Sequence, residues 1–102
     1  MADIPQLSGK ETDVLRLLIG KGEMYGLEMV EASEGALKRG TIYVTLSRMA
    51  DKGYVESREE ENPAPDRPAR RLYKPTGLGE RAYRAEVAGR QARSLVFAGG
   101  VA

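Results

Sequence analysis

A chain of 102 residues can form one small domain with a single core and a large exposed surface. Its net charge is only +1, so total charge identifies no partner. The sequence has no cysteine and no histidine, which removes disulfides, thiolate chemistry, the commonest metal ligand and the commonest general base. Composition therefore disfavours an enzyme and a metal sensor, and we expect no cofactor and no metal. Because neither the N-terminal residues nor any later stretch has the apolar run of a signal peptide or a membrane span, we expect a cytoplasmic protein without a membrane partner.

The first half of the chain predicts three helices. Ser8 is followed three residues later by a glutamate, the spacing of a capping box, so the first helix should begin there. Its apolar face consists of Val14, Leu15, Leu17, Leu18 and Ile19. Gly20 and Gly22 should end it. A short second helix fits residues 25–33, and a third fits residues 41–52.

The second half predicts a hairpin and a long helix. Residues 54–58 alternate in polarity as a strand does, and residues 70–75 can return as its partner. Residues 59–69 between them are polar, acidic and rich in proline, which indicates a long solvated loop. Thr76 should cap the last helix, which continues to about Phe97.

This order of elements is that of a winged helix-turn-helix, in which the third helix enters the major groove and the hairpin lies along the DNA backbone. We therefore expect a mainly α fold with a small β-hairpin. The DNA-binding domain would span residues 1–75, with a recognition helix at about 41–52 and a wing at about 54–75. Residues 76–102 would form a C-terminal dimerisation helix and a frayed tail.

The third helix has two different sides at about 100° per residue. Ile42, Leu46, Met49 and Ala50 form an apolar side that can pack on the first two helices. The other side carries threonine, arginine and lysine, which suit the phosphates and base edges of DNA. Such a side can also be merely solvated, but the basic second strand and the order of elements favour DNA binding. The residues predicted from this pattern are Thr41, Thr45, Arg48 and Lys52 on the helix and Arg70, Arg71 and Lys74 on the wing.

The roles of these residues follow from their positions. Thr41, at the N-terminus of the helix, should position it on a phosphate. Arg48 should contact a guanine edge, and Lys52, near the far end, should contact the backbone. Arg70 and Arg71 have an alternative, since they can pair with the loop acids, although exposed pairs are weak and would yield to phosphate.

The loop acids themselves, Glu59, Glu60 and Glu61, offer little for catalysis. They lie in a proline-flanked loop with nothing to desolvate them, so we expect neither a raised pKa nor a fixed geometry. An enzymatic role is therefore the weakest interpretation of the sequence.

The last helix carries a seam of small and apolar residues with alternating spacings of four and three. Its members are Leu78, Ala82, Ala85, Gly89, Ala92 and Val96. The seam can pack on the chain's own first helix, but Tyr83 and Val87 lie on a different face and can serve that purpose. Two apolar faces predict two partners, the domain itself and a second copy of the chain, and hence a homodimer.

Three stretches of the sequence resemble the PadR family of bacterial transcriptional regulators: MYGLEM (24–29), GTIYVTLSRMADKGYVES (40–57) and RRLYKPTGLGERA (70–82). The resemblance implies a homodimeric DNA-binding regulator, in most members a repressor. The two-fold dimer predicted from the seam of the last helix would act on an inverted-repeat operator. The resemblance also implies a phosphate contact for Tyr43, base contacts at Val44, and a small-molecule or protein effector among the partners. The competing interpretation is a winged-helix protein-interaction module, because that fold also docks proteins through the same helix.

Overall fold

The computed structural model describes residues 7–100, with side chains for residues 7–92. In chain order the elements are α1 (Gly9–Lys21), β1 (Met24–Tyr25), α2 (Gly26–Ala32), α3 (Ile42–Asp51), β2 (Val55–Glu59), β3 (Arg71–Pro75) and α4 (Gly77–Gly100). The strands form one antiparallel sheet in the order β1-β3-β2. The predicted winged helix-turn-helix with a C-terminal helix is confirmed. None of the helices within the described range has the length and apolar character needed to cross a membrane.

Helix α1 begins where the capping box predicts. The Ser8 hydroxyl accepts a hydrogen bond from the Glu11 N–H at 3.1 Å, and the Glu11 carboxylate accepts one from the Ser8 N–H at 2.9 Å. The helix continues past Gly20 and ends at Gly22, whose φ of 94° lies in the region that favours glycine. Ile19, expected on the apolar face, is 38% exposed because it lies at the edge of the buried side.

Strand β1 was not predicted. Tyr25 was expected to open the second helix, but Met24 and Tyr25 pair with Tyr73 and Leu72 of β3, and α2 begins only at Gly26. Two residues carry too little alternation to predict a strand from sequence. The pairing ties the hairpin to the start of α2.

The core lies between the first three helices, the sheet and the start of α4. Ile42, Leu46 and Met49, on the inner side of α3, are each at most 1% exposed, which confirms the predicted apolar side. Ala50, assigned to the same side, is exposed at its edge. Each fully buried side chain of this size contributes about 1.5–3 kcal/mol. The inner side thus fixes α3 on the domain and turns its other side outward.

Helix α4 is joined to the domain through its first turn. The Thr76 hydroxyl accepts a hydrogen bond from the Gly79 N–H at 3.0 Å, which confirms the predicted cap, and the Thr76 N–H donates to the Tyr54 carbonyl at 3.0 Å. Gly79 packs against that carbonyl so closely that a Cβ at residue 79 would overlap its oxygen. Ala82 and Tyr83 extend the contact with the core. This close approach sets the direction in which α4 leaves the domain.

Candidate nucleic-acid interface

Helix α3 presents a polar outer side. Thr41 is its N-cap residue, and its side chain caps no backbone N–H of the helix. Tyr43 and Val44 are 49% and 52% exposed, Arg48 is exposed, and Thr45 is half-buried. The same helical period that buries the inner side therefore brings four predicted contacts, Thr41, Val44, Thr45 and Arg48, onto one surface, and Tyr43 lies at its edge beside Gly26.

A groove of about 640 Å³ lies between this surface and the start of α1. Its lining consists of Ser8, Gly9, Lys10, Glu11, Thr41, Val44, Thr45 and Arg48. Lys10 was not predicted as part of the site, yet its Nζ lies 3.4 Å from the Thr41 hydroxyl. Arg48 forms no ion pair with any residue in the part of the chain that the structure describes. The groove therefore holds two cationic side chains beside the hydroxyls of α3.

Lys52 has a partner in its own domain. Its Nζ lies 2.7 Å from Oε2 of Glu11, the buried carboxylate of the capping box. Burial raises the pKa of Glu11, but hydrogen bonds from Lys52 and Ser8 outweigh this effect, and the pKa is lowered. Lys52 thus connects the end of α3 to the start of α1. The phosphate contact predicted for it would compete with this pair.

On the wing, Arg71 and Lys74 are two of the exposed cations. Arg71 Nη1 donates a hydrogen bond to the Ser57 hydroxyl at 3.2 Å, and its guanidinium makes no ion pair within residues 7–92. Lys74 pairs with Glu56 at 3.3 Å, with both side chains more than half exposed. Because exposed pairs contribute little, Lys74 can leave Glu56 for a phosphate. Arg71 has no ion pair to break within residues 7–92.

Arg70 is placed differently from Arg71. Its guanidinium lies 3.9 Å from the centroid of the Tyr25 ring and 3.1 Å from a carboxylate oxygen of Glu60. The alternative that the wing arginines pair with loop acids therefore holds for Arg70 and not for Arg71. The two neighbours in sequence have separate environments.

Glu60 organises the loop between β2 and β3. Its carboxylate accepts hydrogen bonds from the Arg67 guanidinium at 2.7 and 2.8 Å, from Arg70, and from the Tyr25 hydroxyl at 3.2 Å. These bonds, those of Arg67 foremost, hold the pKa of Glu60 well below its usual range. The expectation of no fixed geometry for the loop acids was wrong for Glu60, whose side chain is only 12% exposed. Its tyrosine partner lies 35 residues away in the chain, which local sequence cannot reveal.

A cleft of about 600 Å³ separates α2 from the wing. The rings of Tyr25 and Tyr43 line it, together with the exposed Leu27 and the wing residues 67–71. Gly26 is what allows Tyr43 to lie over the first turn of α2, since a Cβ there would be 2.7 Å from Tyr43 Cε1. The cleft thus adjoins the outer side of α3.

The predicted seam of α4 is divided between two environments. Ala82 is 5% exposed and belongs to the domain's own core, so its assignment to a surface seam does not fit its burial. Leu78 is 46% exposed, Ala85 and Ala92 are exposed, and Gly89 is half-buried. The side chain of Val96 lies outside the described residues. The exposed part of the seam is therefore Leu78, Ala85 and Ala92.

Comparison with known proteins gives one family match. The family model described as the transcriptional regulator PadR-like family matches residues 14–85. None of the curated proteins matches the sequence.

Solved structures share the fold at low sequence identity. A PadR family transcription regulator from Clostridium difficile R20291 is 20% identical with a TM-score of 0.76, over 93% of this chain and 100% of that chain. Bacillus subtilis PadR in complex with operator DNA is 20% identical with a TM-score of 0.67, over 76% of this chain and 46% of that chain. The Streptomyces coelicolor regulator PcaV, in complex with its natural ligand, is 23% identical with a TM-score of 0.72, over 95% of this chain and 64% of that chain.

Proposed function

The chain belongs to the PadR-like family of transcriptional regulators, and we propose that it is a homodimeric repressor that binds an inverted-repeat operator through α3 and the wing. The observation that carries the proposal is the outer side of α3, where Thr41, Thr45 and Arg48 line one groove and the guanidinium has no ion-pair partner in residues 7–92. Such a surface can meet both phosphates and base edges. The operator-bound structure of Bacillus subtilis PadR supports the same use of the fold.

Each side chain on this surface has a chemical role in the proposal. Arg48 has the reach and the donors for a guanine edge, so it reads a base. Thr41 stands at the N-terminus of α3, where free N–H groups and the helix dipole favour a phosphate. Val44 offers an apolar contact to a thymine methyl group, and the Tyr43 hydroxyl can donate to a phosphate.

The test is a binding titration on the operator, identified by selecting bound fragments from the native genome, and on a scrambled duplex at the same salt concentration. Arg48→Ala should weaken operator binding by about 1–3 kcal/mol and relax one base position. Arg84→Ala is the matched control, because Arg84 is an exposed arginine on α4 and its removal changes the net charge equally. Equal losses on both duplexes would show that Arg48 holds a phosphate. Failure of the wild type to prefer any duplex would instead favour the protein-interaction module.

The homodimer is the second part of the proposal. An inverted repeat requires a two-fold axis that holds the recognition helices about 34 Å apart. Ala92→Glu places a charge on the exposed part of the α4 seam and should give a folded monomer that no longer binds the full operator. Gln91→Glu adds the same charge at an exposed neighbouring position on another side of the helix and should remain dimeric. Light scattering after gel filtration measures the molar mass of both variants. A dimeric Ala92→Glu would show that the interface does not include the exposed part of the α4 seam.

A small-molecule effector is the third part. The structure of PcaV in complex with its natural ligand supports an effector, because PcaV shares the fold of this chain. The cleft between α2 and the wing, about 600 Å³, has the size of a small-molecule site, and Tyr25 and Tyr43 give it aromatic surface. Because Tyr43 also belongs to the outer side of α3, an occupant should compete with DNA. The chain has no tryptophan, so effector binding should appear as saturable quenching of tyrosine fluorescence, and quenching that operator DNA leaves unchanged would refute the competition.

A further inference from the structure

We propose that Glu60 is a positioning residue for DNA binding, which holds the wing against α2 so that Arg71 meets the DNA backbone while Arg67 and Arg70 stabilise the wing itself. The proposal rests on the DNA-binding function proposed above. It assigns different tasks to three arginines that lie within five positions of the chain.

The hairpin closes at Glu60 and Arg70. The Glu60 N–H donates to the Arg70 carbonyl at 2.7 Å, and the Arg70 N–H donates back to a carboxylate oxygen of Glu60 at 3.1 Å. Arg67, from within the loop, adds two short hydrogen bonds to the same carboxylate. The loop is therefore folded back onto its own base, and one side chain holds both of its ends.

The same carboxylate connects the hairpin to the rest of the domain. The Tyr25 hydroxyl donates to Glu60, and the Arg70 guanidinium covers the Tyr25 ring at 3.9 Å. Tyr25 is the last residue of β1 and the N-cap residue of α2, so this contact fixes the wing relative to the first turn of α2. Arginine over a tyrosine face adds an attraction between the cation and the ring.

The arginines divide accordingly. Arg67 and Arg70 share Glu60, so moving either one to a phosphate would leave a carboxylate that is only 12% exposed short of a partner. Arg71 lies on the hairpin beside Ser57 and forms no ion pair within the described side chains. Arg71 can therefore bind a phosphate without disturbing the wing.

Charge and positioning predict opposite effects of Glu60→Gln on operator affinity. Charge alone predicts tighter binding, because a negative side chain beside the DNA is lost. Positioning predicts weaker binding, because a neutral glutamine cannot hold the guanidinium groups of both Arg67 and Arg70. The arginine side chains that are released, and the wing with them, must then be ordered when DNA binds, which should lower the affinity about tenfold. We expect the loss of about tenfold, with the salt slope nearly unchanged because no phosphate contact is removed.

Glu61→Gln is the matched control. It makes the same charge change one residue along, and Glu61 accepts no side-chain hydrogen bond among residues 7–92. It should bind the operator as tightly as the wild type or more tightly. Thermal unfolding confirms that both variants are folded at the assay temperature, and Tyr25→Phe, which deletes only the hydroxyl donor, gives a milder variant that should lose affinity in the same direction. Trypsin should cleave after Arg70 faster in Glu60→Gln than in Glu61→Gln.

The possible outcomes distinguish a failure of the positioning role of Glu60 from a failure of the proposed DNA-binding function. If the wild type binds its operator and Glu60→Gln binds as tightly as Glu61→Gln, the positioning role is wrong and Glu60 is only a repulsive charge. If Arg67→Ala lowers the salt slope by about 0.9, Arg67 contacts a phosphate and the division of the arginines is wrong. If the wild type has no preference for any duplex, the proposed function itself fails.

Discussion

Replacing Gly79 with alanine should displace α4 from its packed position on the winged domain, because the structure leaves no room for a side chain there. The added Cβ would overlap the Tyr54 carbonyl oxygen and lie 2.9 Å from its carbon and 3.2 Å from Leu15 Cδ2. Tyr54 and Leu15 are both buried, and the Tyr54 carbonyl also accepts the Thr76 N–H, so neither neighbour can give way. The helix itself must move, by about 1 Å, to restore an ordinary contact.

The magnitude follows from three effects. Overpacking of this kind costs about 1–3 kcal/mol, and weakening the hydrogen bond between Thr76 and Tyr54 costs about 1 kcal/mol more. The higher helix propensity of alanine offsets up to about 1 kcal/mol. We expect Gly79→Ala to lower the free energy of unfolding by about 2 kcal/mol, which lowers Tm by roughly 8–16 °C in a domain of this size.

Gly77→Ala is the control for this experiment. It lies in the same turn of α4, and a Cβ there would meet only the end of the Arg81 side chain at 3.4 Å. It should be neutral or stabilising by up to about 1 kcal/mol. Thermal and urea unfolding followed by circular dichroism, at one protein concentration, measures both variants. Equal stability of Gly79→Ala and Gly77→Ala would refute the packing of α4 on the Tyr54 carbonyl.

Three further predictions concern the site. Glu11→Gln should destabilise the domain by about 1–3 kcal/mol at pH 7. The pKa of Glu11 is lowered in the folded chain from its ordinary value of 4.5. The charged carboxylate therefore stabilises the fold fully above pH 4.5, and this stabilisation is lost as the pH falls through the lower, folded pKa. Urea unfolding at pH 7 and at about pH 3 should therefore show the two proteins converging in acid, and a constant difference would contradict the role of the charge. Arg71→Ala should reduce the salt slope of DNA binding by about 0.9 without changing sequence preference, and an unchanged slope would show that this arginine does not touch DNA. Gly26→Ala should displace the Tyr43 ring, whose Cε1 lies 2.7 Å from the added Cβ. The loss in free energy of operator binding should exceed the loss in free energy of unfolding. Unchanged binding would exclude a DNA contact by Tyr43.

The sequence alone determined the features whose partners are close in the chain. The capping box joins Ser8 to Glu11, and Thr76 caps Gly79, each across three residues, so the spacing of residue types is sufficient to predict them. The two sides of α3 follow from the helical period, which is independent of the rest of the fold. The order of helices and strands then limits the chain to a winged helix-turn-helix.

The contacts between residues far apart in the chain became known only from the folded arrangement of the elements. Lys52 lies 41 residues from Glu11, and Tyr25 lies 35 residues from Glu60, so no local pattern indicated either pair. Ala82 shares the spacing of the seam, but the close approach at Gly79 turns its side inward. Contacts of this kind depend on how the core packs the elements against one another, because packing fixes the distances and directions that periodicity along a single helix or strand leaves open.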